Sequence, residues 1–355
     1  MENSKKFTKF AKEHGVILEY AILFIIACFM VPSFFSVSAI FTVIKQAAVP
    51  CVACMGMMLV LTTGGIDLSL ANTVGLCSVV LGVLTVLCGW PAWAALLAAL
   101  LAGVVTGLIT GELHTRFGIP VILSGILTQF ALYSINLRIM TKANQTASIK
   151  KFGTVWDPAT HGKGFLVSSL YIPQAIAVGV LLAAAVIALL YWYFGTEHGS
   201  AMRATGSNPA MSRALGINTN RFKVMGLGLS NGLVALAGGL MTQYQGTADV
   251  NMGRGSIVIG LAAIIIGEVL CSAIFKKGCN FAVRLAFVVL GGVIYYAVMT
   301  VILWFKLDPN DLKLFTALIV AVFLAIPHFQ AQLKNSFHKN KHPKDAPEKG
   351  GDHHA

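Results

Sequence analysis

The sequence predicts an all-α membrane protein that crosses the bilayer about ten times and contains an inverted repeat. Three observations carry this. Of 355 residues, 56% are hydrophobic and 11% charged, whereas a soluble domain carries about 25% charged residues. Apolar runs of about twenty residues recur along the chain, each long enough for a transmembrane helix. Two short stretches containing Gly and Asp, one after the second apolar run and one after the seventh, look alike.

The helices are predicted near 16–36, 39–62, 67–89, 91–112, 119–140, 171–194, 222–246, 253–275, 281–304 and 312–329. The N-terminal tail, 1–15, is basic and leads into a full-length apolar run with no small-residue cleavage site. It reads as the flank of a retained first helix rather than a signal peptide. Pro91, Pro120 and Pro309 stand near helix starts, where proline is tolerated. "LDPND" at 307–311 is a turn followed by a helix cap. The transmembrane domain is thus 16–329, with a polar loop at 141–170 and another at 195–222. The C-terminal tail, 330–355, is polar, with Pro and Gly pairs, and is expected to be disordered. Its His338, His342, His353 and His354 read as a solvated tail, and no metal site is predicted.

An even number of spans places both termini on one side. The side with the N-tail, Arg116, the 195–223 loop, Lys276, Lys277 and the C-tail holds twice as many Lys and Arg as the other. The positive-inside rule makes that side cytoplasmic. The 195–222 loop is then cytoplasmic and the 141–170 loop external. The net charge of +12 does not point to nucleic acid, because the basic residues cluster at the ends of apolar runs, where topology explains them. Cys51 and Cys54 form a C-x-x-C with no nearby His or Cys partner. They read as small buried hydrophobes.

The two similar stretches are "TTGGIDLSLANTVGL" (62–76) and "YQGTADVNMGRGSIVIGL" (244–261). Each has Gly, then Asp (Asp67, Asp249), then small residues opening a helix. Gly65 and Gly253 release the backbone from helix geometry, and the Asp is expected to cap the following helix, with Ser69 beside the first cap. The preceding spans run in opposite directions. Helices 2–5 and 7–10 therefore form units of opposite topology, as in inverted-repeat transporters. Charge within the spans is sparse. Glu112 stands four residues before Arg116 and can pair with it. Glu268 can snorkel toward Lys276 or meet Arg284. A proton relay would need stacked acidic or His groups through the core, and that chain is missing.

No phosphate-binding loop is present, so ATP-driven transport would need a separate motor protein. "SAMRATGSNPAMSRALGI" offers short helices at 201–205 and 209–215. Asn208 caps the second, Pro209 sits at its first position and Gly216 ends it. Met202, Met211, Leu215 and Ile217 provide apolar anchors and Arg203 and Arg213 a basic rim, a pattern suited to docking in a partner's cleft. Gln129, Tyr133 and Asn136 share one face of the fifth helix, and Asn72 and Asn251 flank the breaks. These are the candidate solute-path residues, and hydrogen bonding between helices explains them equally well.

With "GGIDLSLANTVGL", "GSAMRATGSNPAMSRALGINTNRFK" and "GLSNGLVALAGGL", the chain resembles permease subunits of bacterial ABC importers of the ribose/branched-chain amino acid type. "GELHTRFGIPVILSGILTQFALYSINLRIM", "QYQGTADVNMGRGSIVIGLAAIIIGEVL" and "LDPNDLKLFTALIV" resemble the subgroup associated with tryptophan and tyrosine uptake. The likeness covers about residues 40–328. It implies a permease homodimer or pair in the plasma membrane, an ABC ATPase subunit that binds the ATP, and an external substrate-binding lipoprotein. It also implies that Glu197, Gly199, Arg203, Ala204, Gly206, Asn208, Ala210, Gly216 and Ile217 form the ATPase-coupling loop. The solute is then small and polar, with an aromatic amino acid as candidate. "GGIDLSLAN" departs from the ribose-type pattern, in which Val and Gly typically follow Asp-Leu-Ser, and this argues against a sugar. Arg138, Lys150, Lys151 and Arg254 are candidates for pairing with acidic groups on the binding protein. No catalytic residue is expected, since a permease makes no covalent bond. An ion-coupled secondary transporter, or a sugar or nucleoside permease, is the rival reading.

Overall fold

A computed structural model of the chain describes residues 37–140, 147–148, 173–275 and 280–304, with isolated positions 314 and 321. The predicted N-tail, first helix and C-tail, all of the tenth helix but those two positions, and Lys150 and Lys151, lie outside the described residues. The described elements are, in order, α1 (Val37–Thr62), α2 (Leu70–Val86), α3 (Ala92–Phe117), α4 (Val121–Ile139), β1 (Ala147–Ser148), α5 (Pro173–Gly195), α6 (Glu197–Ser207), α7 (Pro209–Ala214), α8 (Thr219–Gln245), β2 (Thr247–Ala248), α9 (Ser256–Ile274) and α10 (Phe281–Trp304). Among the described residues the protein is all-α apart from the two-residue antiparallel pair of β1 and β2, with Ala147 opposite Ala248.

Four described helices are long and apolar enough to cross a membrane: Ala92–Phe117, Val121–Ile139, Thr219–Gln243 and Phe281–Thr300. A fifth, Val180–Gly195, meets Glu197–Ser207 at a bend of 82°. The shorter α2 begins beside one helix break, and α9 follows the other.

Packing is exchanged between the halves. Helix α1 packs on α8, α9 and α10, while α8 packs on α1, α2 and α3. Close approach explains the seam of α8 with α3. A Cβ added at Gly103 or Gly107 would collide with the side chain of Ala235 or the carbonyl of Leu227, and one at Gly111 would lie 2.8 Å from Val224 Cα. Small residues at this spacing let two backbones meet where lipid supplies no hydrophobic drive. A larger buried cluster gathers Val52, Met55 and Leu59 of α1 with Phe194 of α5, Val234 of α8, Ile264 of α9 and Leu285 of α10.

Glu112 pairs with Arg116 at 2.5 Å, and of the two readings of Glu268 the chain adopts the ion pair with Arg284. Cys51, Cys54 and Cys77 are buried free thiols, while Cys88 is exposed.

Several boundaries differ from expectation for local reasons. Helix α3 runs to Phe117, where Gly118 in the left-handed region (φ 68°) ends it. Helix α6 starts at Glu197 rather than Ala201, because Thr196 caps it by accepting the Gly199 N–H. Helix α2 starts at Leu70, because Asp67 and Ser69 are taken up in the turn before it.

Candidate functional site

Three features make up the candidate site: two helix breaks and the bent polar segment. The first break follows α1. Asp67 is 1% exposed. Its Oδ1 accepts the Ser69 N–H at 2.8 Å and its Oδ2 accepts Asn231 Nδ2 at 2.8 Å. Asn231 Oδ1 in turn accepts the Thr73 hydroxyl at 2.8 Å and the Ser69 hydroxyl at 3.4 Å. Gly125 of α4 closes over the carboxylate, since a Cβ there would lie 2.7 Å from Asp67 Oδ1. Asp67 therefore braces the turn before α2 instead of capping the helix itself, because its second oxygen is drawn to α8. Gly65 lies against Val121 of α4.

The second break follows α8, which ends at Gly246 with φ 71°. Asp249 repeats the turn, its Oδ1 accepting the Asn251 N–H at 3.0 Å. The Asp249 N–H donates to Ser78 Oγ of α2 at 3.1 Å. Around that bond the break lies along α2. A Cβ on Gly253 would strike the Ala71 carbonyl, one on Gly75 the Val250 carbonyl, and one on Gly82 would come 2.5 Å from Ala248 Cβ. Ala71 is four residues past Asp67, so both breaks reach one end of the same short helix.

The bent segment is built from caps. Asn208 Oδ1 accepts the Met211 N–H at 3.0 Å, opening α7 at Pro209. Gly216, with φ 82°, turns the chain out of α7, and Asn218 caps α8 through the Arg221 N–H. One face of α6 points inward: Gly199, Met202 and Thr205 are buried. Gly199 sits so close to Tyr193 and Phe194 that a side chain would strike their backbone. Two sequence expectations are corrected here. Met202 is 0% exposed and is sealed within its own bundle, not offered to a partner. Arg203 donates to the Phe194 carbonyl at 2.9 Å and lies over the rings of Phe194 and Phe281, so it fastens the elbow. The outward apolar residues are Met211 and Leu215, 61% and 68% exposed. Glu197, Asn208, Ala210 and Gly216 are exposed too, and Ala204, Gly206 and Ile217 are half-buried.

The expected solute-path residues are partly brought together. Asn72 Nδ2 donates to the Gln129 carbonyl at 2.5 Å, and Asn136 Nδ2 to the Asn72 carbonyl at 3.3 Å. Asn136 Oδ1 is buried without a hydrogen-bond partner. Tyr133 packs against the cluster of Val79, Met140, Ala248 and Val250. Asn251 lies in the second break, where its N–H donates to Asp249 Oδ1, and the adjoining Val250 belongs to the cluster that Tyr133 packs against. Among the docking candidates, Arg138 is exposed near the end of α4, and exposed Arg254 lines a cavity of about 70 Å³ with Pro50, Met241, Met252 and Tyr296. That volume is far below the roughly 300–1,000 Å³ of ligand pockets. Sequence reasoning missed Asn231 and Ser78. An Asn in the apolar run "GLSNGLVALAGGL" was the available signal, since polar side chains inside spans seek partners. Among the described residues, no group of three or more His, Cys, Asp or Glu side chains is placed to hold a metal.

Comparison with known proteins places this architecture. The chain is 34% identical over 275 residues to a tyrosine transport system permease protein of Clostridioides difficile, covering 78% of this chain and 82% of that protein. It is 27% identical to an autoinducer 2 import system permease protein of Escherichia coli, over 74% of this chain and 73% of that one. It is also 27% identical to a fructose import permease protein of Rhizobium meliloti, over 66% of this chain and 64% of that one. No solved structure matches the chain. Residues 39–327 match the family described as "Branched-chain amino acid transport system / permease component", and the chain belongs to that family of membrane permeases.

Proposed function

We propose that this permease forms the solute path of an ABC importer for a small polar solute, with an aromatic amino acid as the leading candidate, driven by a separate ATPase subunit. The observation that carries the motor's place is the segment from Glu197 to Ile217. Its inner face is locked by Met202 and Thr205 and its elbow by Arg203, while Met211 and Leu215 stand exposed with the basic Arg213. A capped, rigid pair of helices with two outward apolar anchors is suited to a partner's cleft, where buried anchors carry most of the binding energy. The tyrosine transport name of one relative and the departure from the ribose-type motif favour an amino acid over a sugar.

In this reading both termini and the bent segment are cytoplasmic, and the second break faces the outside with Arg138 and Arg254. A substrate-binding lipoprotein docks there and two permeases pair to enclose the path. Asn72, Gln129, Tyr133, Asn136 and Asn251 line it. The unpaired Asn136 Oδ1 supports a place for Asn136 there, since a buried acceptor without a partner is costly unless a solute or water serves it. ATP binding by the motor draws the α6–α7 pairs together and rocks the permeases between outward and inward states.

The test is co-purification and uptake. Leu215→Glu with Met211→Glu is expected to lose the ATPase subunit, and ATP-driven uptake in proteoliposomes with it, while the permease still inserts. Uptake by the permease alone, driven by an ion gradient, would instead establish a secondary transporter.

A further inference from the structure

Resting on the proposed coupling role of α6, we infer that α2 is the rod that carries motion between the ATPase-coupling segment and the second break, which lies along it from Ala71 to Gly82. The contacts run without interruption. A Cβ on Gly206, at the end of α6, would strike the Thr62 carbonyl, and one on Gly64 would lie 3.2 Å from the Gly206 carbonyl. Gly64 holds φ +83°, a conformation that side chains rarely adopt. The end of the coupling helix is thus pressed backbone to backbone onto the first break. That break opens α2 and is braced to α8 through Asp67 and Asn231. Along α2 the second break is held by the Asp249 N–H to Ser78 bond and by the approaches of Gly253 to Ala71 and Val250 to Gly75.

A shift of α6 cannot be absorbed at Gly206, because no side chain lies between the two backbones to repack. Packed interiors yield by discrete steps rather than by continuous deformation, so the shift passes to α2. The second break, fastened along α2, must follow. Binding of solute-loaded protein at the second break would travel the same route in reverse, because coupling between two sites is reciprocal.

Gly75 and Ser78 are therefore positioning residues, and the test uses the complete transporter in nanodiscs. Gly75→Ala is expected to leave ATPase co-purification and basal ATP hydrolysis unchanged. Its stimulation by solute-loaded binding protein should fall about tenfold, within the range for positions that carry coupling. Ser78→Ala adds no bulk and removes only the bond to Asp249. It is expected to lose stimulation in the same direction, and it decides the matter if Gly75→Ala does not fold. In the double variant of Gly75→Ala with Gly206→Ala, the loss should be no larger than that of the worse single change, as for two steps of one chain. Full stimulation with Ser78→Ala overturns the rod, as does a strictly multiplicative double variant. If the unmodified permease recruits no ATPase at all, the proposed function fails and the rod falls with it.

Discussion

The two helix breaks use the same turn and are held in different ways. Asp67 and Asp249 each accept the backbone N–H two residues ahead, at 2.8 and 3.0 Å. Asp67 is buried and spends its second oxygen on Asn231, which also gathers the hydroxyls of Ser69 and Thr73. Asp249 is half-buried, and what fastens its break is main chain: its own N–H to Ser78 and the close passage of Val250 and Gly253 over α2. The first break is tied by a side-chain network, the second by shape. A tied joint transmits a push in any direction, whereas a contact made by close approach resists compression and lets the surfaces part. Such a difference suits the proposed function, in which the coupling helix grips the first break and α2 pushes on the second.

The largest expected effect is at Asp67. Asp67→Ala leaves the buried Ser69 N–H without an acceptor and strips Asn231 of its carboxyl partner. Each orphaned buried donor costs about 1–3 kcal/mol, so the variant should lose about 3 kcal/mol or more and melt well below the parent in detergent. Asn231→Leu keeps the branched heavy-atom skeleton and removes the partner instead, and a loss of about 1–3 kcal/mol is expected. The double variant should cost less than the sum of the two, because the groups form one network. A strictly additive result would show that Asp67 and Asn231 act separately and would erase the distinction between the breaks.

The class of protein was legible in the sequence, and so were the breaks, because both rest on composition and on residue types with strong local consequences. Runs of apolar residues must cross lipid, and Gly with Asp must interrupt a helix. The caps at Asn208 and the turn at Gly216 were legible for the same reason. Partner choice was not. Nothing in the spacing of Arg203 says that it folds back on Phe194 rather than reaching outward, since either use suits a long cation at a helix surface. Met202 read as an anchor for another protein because a buried and an offered methionine have the same local pattern. Asn231 lies 164 residues from Asp67, and a pairing at that separation is decided by how the halves exchange helices, which no local pattern reports. Asn136 meets the Asn72 carbonyl, while Asn251 took up the turn of the second break.

The smallest effect sharpens the comparison most. Asp249→Ala removes one hydrogen bond on a half-buried turn, and the Asp249 N–H to Ser78 bond survives because any residue's backbone supplies that donor. The stability loss should be about 0.5–1.5 kcal/mol, with uptake retained. Comparing melting temperatures of Asp67→Ala and Asp249→Ala in one preparation therefore separates a network from a shape. If Asp249→Ala keeps its melting temperature but loses uptake, the carboxylate faces the solute or the binding protein, and the second break is a contact surface as well as a hinge. If it melts as early as Asp67→Ala, Asp249 is braced through more than the Asn251 turn, and the two breaks are mechanical equals.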